Sequence, residues 1–414
     1  MKKKINIIIL LLLIFELFIN TIVFADDEDE EEINEELLNE ITVETTAKIN
    51  EESNINARAA IIYDRETKEI IWGKNENDKK SMASTTKIMT AVVVLENAKL
   101  TDIVTVSKRA ASIGGSRLKI SEGDKISVND LLYGLMLKSG NDTAIALAEH
   151  IGGSVDEFVN LMNKKAVEIG LKNTHFTSPH GLDDENHYTT AYELAMLTDY
   201  AMENKTFCNI VNTKTATINI NGLPRNINNT NELLGYMQGV NGVKTGFTNN
   251  AGRCLVTSCI RNSSQIITVV LGCDTKKQRT ADSIKLIEYA FKNYTKINLE
   301  EKIIKEFEDW KQININRIYI NKAKTKTMQL SLGKIDKKVI PIKNDEEENI
   351  KIQVNAIYNY ETPVEENTKI GNLIVKKDDE IIETVDIICV KKINKKNVID
   401  YFIEFIGILP NYSL

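Results

Sequence analysis

Three short clusters in the chain carry side chains suited to acyl transfer. The first is Met82-Ala83-Ser84-Thr85-Thr86-Lys87-Ile88-Met89-Thr90, followed by the apolar run Ala91-Val92-Val93-Val94-Leu95. A serine hydroxyl is a weak nucleophile until a base takes its proton. Lys87 lies one helical turn after Ser84, on the same face. A lysine held neutral by burial and nearby cations can serve as that base. A helix starting at Ser84 adds free N–H groups and a partial positive charge beside the reacting centre. The second cluster is Ser139-Gly140-Asn141, between two helical patterns. The third is Lys244-Thr245-Gly246, on a strand-like run that begins at Gly239. A bare Ser-x-x-Lys is weak evidence, since Ser331-Leu332-Gly333-Lys334 also matches in a strand-and-turn context. The weight comes from all three clusters in this order and setting.

The elements that must position these residues are readable in outline. Ala59–Tyr63 and Glu69–Trp72 read as a hairpin. The run after Ser84 is apolar on every side and rich in β-branched residues, so packing must hold it helical. Helices are expected from Asn129 to Leu137 and from Asp142 to Ile151. Ser154 with Glu157, and Thr190 with Glu193, are capping boxes that open two more. Thr215–Ile220 ends at Asn221-Gly222, a hairpin signal. Gly239–Phe247, Arg253–Cys259 and Ile266–Cys273 read as strands, and Asp282–Phe291 as a closing helix. This predicts an α/β (α+β) domain whose sheet is split between the two ends around a helical block. After Tyr294, short alternating runs separated by charged turns predict a small all-β domain.

At 414 residues and a net charge of −7, the chain has room for several domains and no basic footprint for nucleic acid. Lys2, Lys3 and Lys4 precede an apolar run from Ile5 to Phe24, and Val23-Phe24-Ala25 suits a cleavage site. Residues 1–25 are expected to be a secretory signal peptide and the protein extracytoplasmic, in the cell wall or at the outer face of the cytoplasmic membrane. Residues 26–56 are acidic and expected to be a disordered spacer. A catalytic domain then fills 57–296 and a small β-rich domain 297–390. Residues 391–414 form a basic, amphipathic C-terminal segment, in which Val398–Leu409 is too short to span a bilayer and suits an interfacial anchor. The five cysteines lack metal-site spacing and read as buried free thiols. His150, His175, His180 and His187 form neither a His-Glu-x-x-His nor a nucleophile-elbow pattern, so no metal and no cofactor is expected.

Together the three clusters resemble the low-molecular-weight penicillin-binding proteins, the serine D-alanyl-D-alanine carboxypeptidases with SxxK, SxN and KTG motifs. The likeness extends to Leu131–Asn141, His187-Tyr188-Thr189-Thr190-Ala191 and Gly242–Thr248. It is strong from Ala57 to Phe291 and weaker in the β part. The resemblance implies a β-lactamase/transpeptidase-like fold and a peptidoglycan stem peptide ending in D-Ala-D-Ala as substrate, with β-lactams as inhibitors. It implies Ser84 as nucleophile, Lys87 as base and Ser139 as proton relay. Asn141 would hold the substrate amide and Lys244 and Thr245 its terminal carboxylate. Gly246 would let the substrate approach the strand, and the N–H groups of Ser84 and Phe247 would form the oxyanion hole. Three alternatives stay open: a β-lactamase, a D,D-endopeptidase, and a non-catalytic sensor of β-lactam or wall peptide. No Glu-x-x-Leu-Asn lies between Ser139 and Lys244, which counts against a class A lactamase. Glu35-Glu36-Leu37-Leu38-Asn39 has those letters but precedes Ser84.

Overall fold

The computed structural model describes residues 33–46 and 55–408; the expected signal peptide, residues 1–25, lies outside them. The chain divides into two compact units, the first ending at Lys292 and the second starting at Asn293. That division falls slightly before the expected boundary at 296. The last helix of the first unit runs to Asn293, and Tyr294 already belongs to a strand paired within the second.

In the first unit, helix α1 (Glu35–Thr46) precedes the hairpin β1 (Ala59–Asp64) and β2 (Ile70–Lys74). A 3-10 turn, Ala83–Thr86, leads into α2 (Lys87–Asn97). Then come β3 (Ile103–Thr105), α3 (Lys108–Ser112), β4 (Lys125–Ser127), α4 (Val128–Leu137), α5 (Asn141–Gly152) and α6 (Val155–Ile169). Two helices, α7 (Ala191–Ala201) and α8 (Lys205–Val211), precede the hairpin β5 (Thr215–Ile220) and β6 (Leu223–Asn228). Strands β7 (Val240–Thr248), β8 (Gly252–Arg261) and β9 (Ser264–Cys273) and helix α9 (Lys276–Asn293) complete it.

The main sheet has the order β2-β1-β9-β8-β7, all antiparallel, so the first strands pair with the last. β1, β8 and β9 are interior strands, and their nearly continuous apolar runs are buried accordingly. The helical block lies between the two sheet halves in sequence. At its centre is α2, buried from Lys87 through Val94. Its β-branched residues are held helical by packing in the same core as Leu131, Leu135 and Ile145. Ser154 and Thr190 accept hydrogen bonds from the Glu157 and Glu193 amides, so both capping boxes form their N-cap bond. β7 is the edge strand beside the 3-10 turn, which exposes its outer edge to a ligand.

The expectation of a disordered spacer over 26–56 does not hold for its central part. Asn34 caps α1 through the Leu37 amide, and Leu38 and Ile41 are 3% and 1% exposed. Two buried side chains on one face give this acidic stretch the apolar contact that its composition obscures.

The second unit is β-rich, with one addition. After β10 (Tyr294–Asn298), α10 (Leu299–Asn314) packs Leu299, Ile303 and Phe307 into the core. The strands that follow are β11 (Tyr319–Asn321), β12 (Leu330–Leu332), β13 (Val339–Lys343), β14 (Ile350–Ala356), β15 (Asn359–Glu361), β16 (Lys369–Lys377) and β17 (Glu380–Cys389). They include a sheet of order β12-β17-β16-β14. The chain continues past 390 as part of this unit: Ile393 is buried and exchanges backbone bonds with Val364. Only α11 (Val398–Ile408) stands apart in character.

Candidate active site

Ser84 lies in the 3-10 turn and is half-buried. Lys87 opens α2 and its side chain is fully buried. Its Nζ lies 2.8 Å from Ser84 Oγ, 2.8 Å from Asn141 Oδ1 and 2.9 Å from the His180 carbonyl oxygen. The two carbonyl oxygens can take both N–H groups of a neutral amine, which leaves its lone pair toward Ser84 Oγ. Burial, then the positive charge of Lys244, hold it well below the ordinary lysine range; Asp142 pulls the other way. A buried amine next to a cation is the arrangement that leaves lysine a neutral base.

Ser139 and Asn141 come from the break between α4 and α5. Ser139 has φ of +58° and is nearly buried, a conformation that few side chains adopt without a local reason. Asn141 is committed at both ends, its Oδ1 to Lys87 and its Nδ2 to the Gly114 carbonyl at 2.7 Å. In this state it orients the base as well as facing the cleft. Asp142 secures the arrangement from behind. Its carboxylate accepts from the Leu118, Lys119 and Ile120 amides, at 2.9, 2.8 and 3.2 Å. The same loop is held by the Asn141 amide, which donates to the Ser116 carbonyl. Sequence reasoning missed Asp142, because its partners are backbone groups with no residue signature.

The third wall is β7. Lys244 is buried, and its Nζ donates to the Thr245 carbonyl at 3.0 Å. Thr245 Oγ1 shares a 2.7 Å hydrogen bond with Thr230 Oγ1. Gly246 packs directly on the turn: a Cβ there would come within 3.1 Å of the Ser84 amide nitrogen. Any larger residue would crowd the space that an acyl carbonyl at Ser84 must use. Phe247 follows, with the Arg253 guanidinium 3.5 Å over its ring.

Loop 176–188 closes the floor. Gly181, at φ +85°, lies so near the turn that a Cβ would overlap the Ala83 carbonyl. The Thr177 amide donates to His187 Nδ1, so Nε2 carries the proton and donates to Thr86 Oγ1 at 2.7 Å. Thr86 Oγ1 in turn donates to the Ala83 carbonyl, bracing the turn that bears Ser84. Asp183 reaches the far side and bonds Thr248 Oγ1 and the Asn250 amide. His187 therefore supports the turn, whereas the His180 ring accepts from the Leu182 amide within its own loop. Burial, as the main cause, pushes His180 down to about 3 and His187 down to about 4. A histidine depressed in the fold contributes stability that is full above its unfolded value of about 6.5. That contribution is lost as pH falls toward the folded values, by up to about 1.4 kcal/mol per unit for each group. Thermal melts are thus expected to drop steeply between pH 6.5 and 4, and His187→Gln to show a shallower slope. An unchanged slope in that variant would remove His187 from the cause.

The comparisons fit this geometry. A family model described as D-alanyl-D-alanine carboxypeptidase matches residues 45–275. The chain belongs to the D-alanyl-D-alanine carboxypeptidase family. A second model, described as the C-terminal domain of penicillin-binding protein 5, matches residues 311–395. The D-alanyl-D-alanine carboxypeptidase DacF of Bacillus subtilis is 31% identical, over 85% of this chain and 89% of its own length. Among solved structures, the carboxypeptidase DacD of Francisella tularensis covers 83% of this chain and 95% of its own, at 27% identity and a TM-score of 0.69. The DD-transpeptidase of Streptomyces K15 covers 58% of this chain and 99% of its own, at 35% identity and a TM-score of 0.57. The two family models thus fall one in each compact unit. Ser331 and Lys334, another Ser-x-x-Lys match, lie in the second unit, where Lys334 is exposed beside Asp336.

Proposed function

We infer that the protein is a serine D-alanyl-D-alanine carboxypeptidase and a penicillin-binding protein. The observation that carries this reading is the 2.8 Å bond from a fully buried Lys87 amine to Ser84 Oγ, beside Lys244. Ser84 Oγ attacks the penultimate carbonyl of a peptide ending in D-Ala-D-Ala, and Lys87 takes its proton. The oxyanion forms where the N–H groups of Ser84 and Phe247 can donate to it. The C–N bond breaks and D-alanine leaves, its amine protonated through Ser139. Water then cleaves the Ser84 ester. Lys244 and Thr245 hold the terminal carboxylate and Asn141 holds the substrate amide. A β-lactam acylates the same Ser84. The deciding assay compares D-alanine release from a pentapeptide with hydrolysis of a chromogenic cephalosporin. Prompt D-alanine release with slow cephalosporin turnover is expected; the reverse would make the protein a β-lactamase.

We further propose that the protein is exported by residues 1–25 and works at the outer face of the membrane, held there by α11. Eleven residues of helix are about 16 Å long, against a hydrocarbon core of about 30 Å. Among the described residues no helix is long and apolar enough to cross a membrane. Two observations support an interfacial helix. Val398, Ile399, Phe402, Ile403, Phe405 and Ile406 are each more than half exposed. Asp400 and Glu404 are instead tied to Lys324 and Lys396. An apolar face this large seeks a partner phase. Because Ile393 belongs to the β-rich core, the informative truncation falls after Asn397 and not after Val390. That variant is expected to stop co-sedimenting with anionic vesicles and to keep full activity on soluble peptide. Unchanged sedimentation, or a marked fall in melting temperature, would instead make α11 a structural helix.

A further inference from the structure

The Phe247 amide sits on a strand that is supported from one side. Among the described residues β7 is the outer strand of the main sheet, with β8 as its neighbour. In an antiparallel pair, opposed residues alternate between two kinds. In one kind the N–H and C=O groups point at the neighbouring strand; in the other they point away and the side chains stand closer. A Phe247 N–H that donates to an oxyanion in the cleft points away from β8. Phe247 faces Arg253 in register, so these two form a pair of the second kind. The ladder to β8 therefore leaves the aim of the Phe247 N–H to other contacts.

Side chains along a strand alternate between its faces, so Lys244, Gly246 and Thr248 share one face and Phe247 points from the other. On the first face Gly246 packs against the turn that bears Ser84, and Thr248 Oγ1 donates to Asp183 of loop 176–188. On the second face the Phe247 ring meets Arg253, whose guanidinium carbon lies 3.5 Å from the ring centroid. That is van der Waals contact, well inside the range of about 6 Å for a cation over an aromatic ring. Arg253 is 3% exposed and Phe247 is half-buried. A buried arginine is thus held against a ring that the strand would otherwise leave partly in water. Arginine suits the position because its planar group stacks on aromatic faces.

We propose that Arg253 is a positioning residue for the oxyanion hole. By stacking on the Phe247 ring it sets the rotation of the Gly246–Phe247 peptide, and so aims the Phe247 N–H at the carbonyl oxygen of the acyl group on Ser84. Arg253 lies across the strand from the face that meets Ser84, so it acts through the ring of one residue on that residue's own amide. A misplacement of about 1 Å is enough to cost about 100-fold in rate when the group concerned stabilises a transition state. The proposal rests on the carboxypeptidase reading for the acyl-enzyme and for the role of the Phe247 N–H.

The test uses the full chain and two readouts. A penicillin carrying carbon-13 at its lactam carbonyl forms an ester on Ser84, and difference infrared spectra report the stretch of that ester carbonyl. A hydrogen bond donated to the carbonyl oxygen weakens the C=O bond and lowers the stretch. Arg253→Leu is expected to move it to higher wavenumber. In D-alanine release from a pentapeptide, kcat is expected to fall by about 10- to 100-fold. Removing an oxyanion donor outright costs about 100- to 1,000-fold, and here the donor is misaimed and not removed. KM should stay within about threefold, because the contact is made in the transition states and not in the bound substrate. Phe247→Leu is expected to reproduce both changes, and the double variant to lose less than about twofold more than either, since all three remove one contact. Should Arg253→Leu fail to fold, as judged by its melting curve, Phe247→Leu carries the same readouts with the buried arginine in place. Phe247→Tyr, which keeps a ring, is expected to leave the stretch and kcat near their starting values. A stretch that stays put in the variants that fold would overturn the proposal, whatever happens to kcat. So would losses that multiply in the double variant. An unaltered protein that forms no ester with penicillin would sink the carboxypeptidase reading and this proposal with it, whereas an ester formed normally with an unmoved stretch sinks the proposal alone.

Discussion

Ser84→Ala is expected to abolish both D-alanine release and covalent labelling by a fluorescent penicillin. A drop of at least about 10^4-fold is expected, because the hydroxyl is the only group at that position able to form the ester. Substrate binding should survive, since Lys244, Thr245 and Gly246 lie on β7 and not on the turn. The fold should survive too. Lys87 loses one partner but keeps Asn141 Oδ1 and the His180 carbonyl, so its Nζ retains two bonds. One lost hydrogen bond at a half-buried site amounts to about 1 kcal/mol. Melting temperature should therefore move little while activity disappears. Labelling that persists at full strength would transfer the nucleophile to another residue.

The part of the site that could be read from sequence was the part set by local geometry. Ser84 and Lys87 meet because they are one turn apart, whatever the rest of the chain does. Ser139-Gly140-Asn141 reads as a break because it parts two apolar helical patterns, and Gly140 does cap α5. The strands of the main sheet read clearly because interior strands are apolar without alternation. What sequence hid were arrangements made across long separations. α1 looks like charged spacer, yet Tyr236 bonds to its Asn39 and Thr42, and its Leu38 and Ile41 are buried. Asp142 looks like the next residue of a helix until the loop carrying Leu118–Ile120 turns its amides onto it.

α10 is hidden in the sequence for a different reason. Its sequence is mostly charged, and its apolar residues Leu299, Ile303, Phe307 and Trp310 follow a helical period inside a stretch dominated by strand signals. The surrounding strand signals favour an all-β domain over that period. The C-terminal lysines are ambiguous in a similar way. In sequence they form one tail with the apolar helix, yet the chain through Lys396 is stitched to the β-rich unit by Ile393–Val364 and Lys396–Lys322 backbone bonds. Backbone bonding to the unit therefore reaches Lys396, and beyond Asn397 a side-chain pair, Lys324–Asp400, joins it to a helix whose apolar surface is exposed.

Lys244→Gln should change both the rate and the shape of the pH profile. In the unaltered enzyme a bell is expected, with Lys87 needed neutral on the acid side and Lys244 needed charged on the alkaline side. Lys244 acts twice in this scheme, as an anchor for the substrate carboxylate and as the neighbouring charge that helps to hold Lys87 deprotonated. Losing the anchor removes a charge-assisted contact and should lower kcat/KM by about 10- to 100-fold. Losing the charge removes the second of the two causes that depress Lys87, leaving burial as the first. The Lys87 amine should then titrate at higher pH, so the acid limb moves toward alkaline pH. The alkaline fall should vanish, because glutamine does not titrate. Lys244→Arg is the control: it keeps the charge, so the acid limb should stay low, and its guanidinium extends the alkaline plateau. Measuring kcat/KM against pH for the three proteins separates the two roles. An acid limb that stays put in Lys244→Gln would mean that burial and hydrogen bonding alone keep Lys87 neutral. A rate loss equal in Lys244→Arg and Lys244→Gln would mean that geometry at the carboxylate, and not charge, is what Lys244 supplies.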